Sequence, residues 1–326
     1  MCRYLVEFTS LAGAWCGPIM NLSNAITRRI LLLTMIAVPT TLFFCMLQVA
    51  TTAGVPFLGL IFWQCLAGAV AFGLTLIARR TPIPLRAAHM RYYGAAAVFG
   101  LVIPYLGMTY AAANIPVGIL GMVFTIEPAL TYLIALILII ERYQGLRFAG
   151  LLIGIAGLLL ILLPQSSLPS PDMLPWVLVA LSVPVSWALW SNWMHFDKPP
   201  EVDSAVGAGA MMILGSIMLA APATLTGEIG WLFGDQAHVW WVIPVFSVLN
   251  VWLWLACLET IRLEGPVFYS TWTFIGTPLS IAFGMMFFAE RHSLWIWSAL
   301  ILLFASLYLV NRTMIQAQTR PLPDEV

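Results

Sequence analysis

The apolar residues of this chain lie in long unbroken runs separated by short polar gaps. Ten runs can be marked, at about 30–50, 57–78, 92–113, 116–140, 148–164, 173–194, 205–226, 239–260, 266–289 and 293–311. A helix rises 1.5 Å per residue, so about 20 residues cross a hydrocarbon core about 30 Å thick. Most runs reach that length; the fifth and tenth are at its short end. None alternates apolar and polar residues with period two, which argues against membrane strands. The pattern predicts an all-α integral membrane protein of ten transmembrane helices.

Composition sharpens this picture. The chain has 326 residues, 61% hydrophobic and 9% charged. Soluble domains carry roughly 45–50% apolar and about 25% charged residues. A soluble enzyme, a disordered chain and a coiled coil are therefore excluded. The formal net charge is zero, so no global field draws the chain to nucleic acid.

The few charges are unevenly placed. With ten spans and a cytoplasmic N-terminus, 13 of the 14 basic residues fall on the inner side and only Arg291 on the outer. Retention of positive charge on the cytoplasmic side predicts this bias. The reading puts both termini in the cytoplasm, with residues 1–29 and 313–326 as flanking segments. Arg28-Arg29 reads as the cytoplasmic flank of a membrane anchor, no convincing cleavage site follows the first run, and Met20 is a second candidate start. The cysteines Cys2, Cys16, Cys45, Cys65 and Cys257 are scattered and odd in number. No C-x-x-C, H-E-x-x-H, G-x-S-x-G or Gly-Lys-Ser loop occurs, so no disulfide framework, metal site, catalytic centre or cofactor is expected.

The chain also repeats itself. PVGILGMVFTIEPALTYLIALILIIER begins at Pro116 and PVFYSTWTFIGTPLSIAFGMMFFAER at Pro266. Pro116 matches Pro266 and Pro128 matches Pro278, while Glu141-Arg142 matches Glu290-Arg291 with one residue deleted. Residues 30–164 and 173–312 then form two units of five spans. Five is odd, so the second unit enters the membrane inverted. Inverted repeats are a recurring construction of secondary transporters, with the substrate held near the midplane.

These residues resemble the drug/metabolite transporter superfamily, specifically its EamA-like members. P-A-L-T-Y-L-I-A-L-I-L-I-I-E-R followed by G-L-L-I-G-I-A-G carries the likeness in the first unit, with S-W-A-L-W at Ser186–Trp190. The resemblance implies two inverted EamA repeats in an inner (plasma) membrane. It implies alternating access of a small organic metabolite, plausibly an amino acid or amine, with export favoured over import. The expected partners are that substrate, the lipid bilayer and protons as a coupling ion, the chain acting as monomer or homodimer. It is not expected to be an enzyme. The rivals are a polytopic enzyme acting on lipid and a non-transporting receptor or assembly factor.

Glu127 is the acid that lies deep within an apolar run. A charged side chain at the centre of a membrane helix is unfavourable by roughly 2.5–3.5 kcal/mol on insertion scales. A proton, a cation or a polar substrate offsets that cost, so Glu127 is the first candidate for coupling or binding. Pro128 and Pro278 are predicted to kink their helices at matching depth, and Thr277 stands where the first unit has Glu127. Thr273 and Thr277 share one face of the ninth span with Ser270 and Ser280. Asn250 is a stronger candidate than any hydroxyl, because an amide needs more partners. Trp187, Trp190 and Trp272 are candidates for an aromatic wall. Tyr105, Tyr110 and Gln64 complete the set. Gly150, Gly154 and Gly157 read as a helix contact and not as a nucleotide loop.

Overall fold

Glu228 and Glu290 each hold the start of a helix from across the molecule, and that arrangement follows from the order of the helices. The computed structural model describes residues 25–162 and 171–318. The expectations for residues 1–24, 163–170 and 319–326 lie outside these. All regular structure among the described residues is helical. The helices are α1 (Ala25–Thr52), α2 (Phe57–Ala78), α3 (Ala87–Ala112), α4 (Val117–Ile137) and α5 (Gly145–Leu162). They continue as α6 (Leu174–Phe196), α7 (Ser204–Leu225), α8 (Val242–Glu264), α9 (Pro266–Phe288) and α10 (Leu294–Gln318). Eight are long and apolar enough to cross a membrane, and shorter apolar helices cover Gly145–Leu160 and Leu294–Leu309. The third begins at Ala87, five residues before its apolar run, so Arg91 is helical and reaches Asp197 at 2.6 Å.

Three of these helices are irregular. In α3 a wide π-helical turn covers Ala96–Val102, just before Pro104. Proline has no N–H for the carbonyl four residues back and clashes with it. The carbonyls of Phe99 and Gly100 instead accept hydrogen bonds from Ser186 Oγ at 2.9 Å and Trp187 Nε1 at 3.3 Å. The helix α4 breaks into Val117–Phe124 and Glu127–Ile137. Pro128 takes one of the first two positions of the second piece, where a missing N–H breaks no helical bond. The ninth helix carries its proline differently from α4. Pro278 sits inside the α-helical stretch Thr273–Phe288, and the tighter 3₁₀ turn falls earlier, at Ser270–Trp272.

The helices pack in reciprocal pairs. α2 lies on α7, α4 on α9 and α5 on α10. α1 packs on α8 and α9, while α6 packs on α3 and α4. Glycines set the closest approaches. A Cβ on Gly154 would come within 2.6 Å of Ser306 Oγ, and that hydroxyl donates to Gly150 O at 2.6 Å. The glycine run of α5 is therefore a helix contact.

The two ends of the bundle are held differently. At one end, rich in arginine, Glu264 accepts from both Arg28 and Arg29 at 2.8 Å, and Glu141 pairs with Arg147 at 3.0 Å. At the opposite end, carboxylates cap helix N-termini. Glu228 accepts from the Leu58 amide at 2.8 Å, and Glu290 from the Val117 amide at 2.6 Å and the Gly118 amide at 3.0 Å.

Candidate functional site

The break in α4 delivers Glu127 into the middle of the bundle. Its side chain is fully buried. Oε2 accepts a hydrogen bond from Trp272 Nε1 at 3.1 Å, and Oε1 has no partner. No ion pair reaches Glu127 among the described residues. Trp272 belongs to the 3₁₀ turn of α9, and Gly276 leaves room for its ring: a Cβ there would fall 2.7 Å from Trp272 Cε3. The irregular stretches of the two helices thus meet at one acid and one indole.

Aromatic rings extend the site. Trp272 stands edge-on to Trp187 at 6.1 Å, and Trp187 to Phe124 at 5.5 Å. Trp190 lies 5.0 Å from Trp254 and 5.7 Å from Tyr269. Gly100 gives Trp190 its place, because a Cβ there would stand 2.8 Å from Nε1. That Nε1 has no hydrogen-bond partner.

A buried polar relay adjoins these rings. The Tyr105 hydroxyl donates to Asn250 Oδ1 at 2.6 Å and accepts from Trp254 Nε1 at 3.0 Å. Gln64 lies beside the same hydroxyl. Gln64 Nε2 and Asn250 Nδ2 are buried without partners. A buried donor left unpaired is unfavourable by about 1–3 kcal/mol. These donors are left for water or a polar molecule to satisfy. Changing Tyr105 to phenylalanine strands both Asn250 and Trp254. The expected loss is about 1–3 kcal/mol, read as a lower melting temperature in detergent; an unchanged melt would show that the relay is already hydrated.

The other expected residues divide. Thr277 Oγ1 lies 2.8 Å from Thr125 Oγ1 and donates to Gly121 O at 3.0 Å, so it ties α9 to α4 just beside the break. Thr273 donates to Ser270 O within its own helix. Tyr110 is not brought to the group: its ring packs on Phe57, 4.6 Å away, near the opposite end. One residue was missed. Asn192 is fully buried and its Nδ2 donates to Thr131 O at 3.1 Å and Ala188 O at 2.8 Å. Its signal, an amide inside an apolar run, is the one that singled out Asn250.

On the arginine-rich side a cavity of about 120 Å³ is lined by Tyr92, Met194, Lys198, Leu258 and Arg262, among others. Met194 and Leu258 lie one helical turn beyond Trp190 and Trp254. The cavity is thus reached from that indole pair by one turn along each helix. Burial and the nearby Arg262 hold the Lys198 ammonium below the usual lysine range.

This fold and site define a multi-pass membrane protein with a buried polar centre between irregular helices. Comparison with known proteins agrees. The model of the EamA-like transporter family matches residues 14–163. That match covers just under half of the chain, and it is what this part of the chain is similar to. A protein of Brucella anthropi named riboflavin transporter is 22% identical over 268 residues, covering 80% of this chain and 90% of the relative. A solved crystal structure of a protein aligns with a TM-score of 0.60 over 88% of this chain and 99% of the other, at 19% identity, and speaks for the fold alone.

Proposed function

We propose that this protein is a secondary transporter that moves a small organic metabolite by alternating access through the centre between α4 and α9. The observation that carries the reading is the buried carboxylate of Glu127, with one oxygen unpartnered, at the break of a membrane helix. The pairing of α2 with α7, α4 with α9 and α5 with α10 supports two inverted halves around that centre. The placement of basic residues supports an inner membrane with both termini cytoplasmic. In this reading Glu127 binds a coupling proton or the ammonium group of an amino acid or amine, and export is the favoured direction.

A second class of cargo is favoured by the rings. Trp187 and Trp272 form one edge-to-face pair, Trp190 meets both Trp254 and Tyr269 in a second group, and the amides of Gln64 and Asn250 are buried donors without partners. Such a wall suits a flat compound with polar edges. The name of the Brucella relative points the same way.

Counterflow in proteoliposomes tests the reading. Radiolabelled riboflavin, a purine base, an amino acid and a polyamine would each be offered against the same compound trapped inside. Exchange of any one, absent from empty vesicles, is expected. Exchange of the amine but not the ring compounds would assign the site to Glu127. Failure of a wide metabolite panel, with a lipid product appearing instead, would favour an enzyme.

A further inference from the structure

The way α9 ends gives one end of the bundle a device that the other end lacks. Ala289 adopts a left-handed conformation at φ 52°, and the Glu290 amide turns back to Gly284 O at 3.2 Å. This C-cap aims Glu290 across the molecule at the start of α4. The side chain is only 7% exposed and grips the Val117 and Gly118 amides with one oxygen each. Gly118 and Gly284 make the space. A Cβ at Gly118 would lie 3.0 Å from Glu290 Oε2, and one at Gly284 would run into the same carboxylate. His292 Nε2 stands 3.5 Å from Oε2 and fills the remaining side.

The repeat predicts a matching grip at the arginine-rich end, and the structure lacks it. Glu141 has a similar turn: Ile139, two residues before it, is left-handed at φ 59°, and the Glu141 amide turns back to Ala135 O at 3.2 Å. Yet its carboxylate goes to Arg147 and not to the start of α9. The matching positions explain why. Phe268 replaces Gly118 and Ala135 replaces Gly284, so the space for a carboxylate is taken. Phe268 is instead covered by Arg29, whose guanidinium lies 5.5 Å from the ring centre.

We propose that Glu290 is the latch of the gate at the end opposite the arginines, locking α4 to α9 there, and that Glu141 does not serve as its counterpart. The proposal rests on the alternating-access reading. Closure at the latched end uses a carboxylate on two helix amides, a favourable place for negative charge. Closure at the other end uses the Arg28–Glu264–Arg29 cluster. Burial raises the Glu290 carboxyl above the usual carboxylate range, against the pull of the two amides. The charged latch regains water when it lets go, which keeps it releasable.

Spin labels at Ala113 and Leu294, which flank the latch, report its opening by electron paramagnetic resonance in nanodiscs without any substrate. Labels at Leu85 and Phe196 report the arginine-rich end. Glu290→Gln is expected to shift the first pair to longer and broader distances and leave the second pair unchanged. Gly118→Ala keeps the charge but puts a methyl 2.7 Å from His292 Nε2 and 3.0 Å from Glu290 Oε2, crowding the latch, and is expected to give the same shift. Glu290→Asp is expected to restore part of the short distance. Glu141→Gln is expected to leave both pairs unchanged. Unaltered distances at the first pair in both Glu290→Gln and Gly118→Ala would overturn the latch. So would a Glu141→Gln variant that opens the arginine-rich end as far as Glu290→Gln opens the other. Since no cargo is needed, failure of transport assays and failure of the latch are separate results.

Discussion

Glutamine at position 127 is expected to abolish accumulation of substrate against its gradient in proteoliposomes, while counterflow of that substrate persists. Glutamine has nearly the shape of glutamate and still offers Trp272 Nε1 an acceptor in place of Oε2. What it loses is the exchangeable proton. A transporter coupled through this carboxylate therefore keeps its binding site and its conformational cycle but loses its driving force. The side chain is fully buried and has no cationic partner among the described residues. An acid in that setting is a costly burial that uptake of a proton or a cation offsets. Uptake driven by a pH gradient and counterflow without one would be measured on the same preparation. Accumulation at the normal rate in Glu127→Gln would exclude proton coupling through this residue.

The second large effect is expected at Gly121. There α4 and α9 approach most closely beside the break, and a Cβ would fall 2.5 Å from Ser280 Cβ and 2.8 Å from its Oγ. Neither atom is the free end of a long side chain, so the helices themselves must part. The Gly121 carbonyl also receives the Thr277 hydroxyl. Overpacking of this kind destabilises by about 1–3 kcal/mol, and the lost hydrogen bond adds about 1 kcal/mol. Gly121→Val is expected to lower the melting temperature in detergent strongly, and Gly121→Ala less so. Gly73→Ala is the control, because nothing lies within 4 Å of a Cβ there. If Gly121→Val melts with the parent protein, the close crossing of α4 and α9 is wrong.

Much of this arrangement was legible in the order of residues. Long apolar runs must be helical in a membrane, because an unpaired backbone group has no water to turn to. The cost of burying a charge made Glu127 conspicuous, and the partner-hungry amide did the same for Asn250. Both are fully buried. The two prolines sit differently in their helices. Pro128 marks a true helix start, whereas Pro278 rides inside a continuing α-helical stretch and the irregular turn lies at Ser270–Trp272. Pro104 went unused, although its effect on α3 frees the carbonyls that receive Ser186 and Trp187. Tyr110 looked like Tyr105 by type and span, yet five residues carry it more than a full turn along α3, onto Phe57.

The sequence by itself determined the membrane setting, the helical class, the basic bias of one end and the single deep acid. Each of these follows from transfer energies that depend on residue type and local order. Only the tertiary structure decided which side chains meet. Helical periodicity names the face of a helix but not the neighbour that face will find. That is why Trp272, 145 residues from Glu127, emerged as its partner only in three dimensions. It is also why two matching glutamates, alike in the repeat, came to differ: one found two glycines and a helix start, and the other found Arg147.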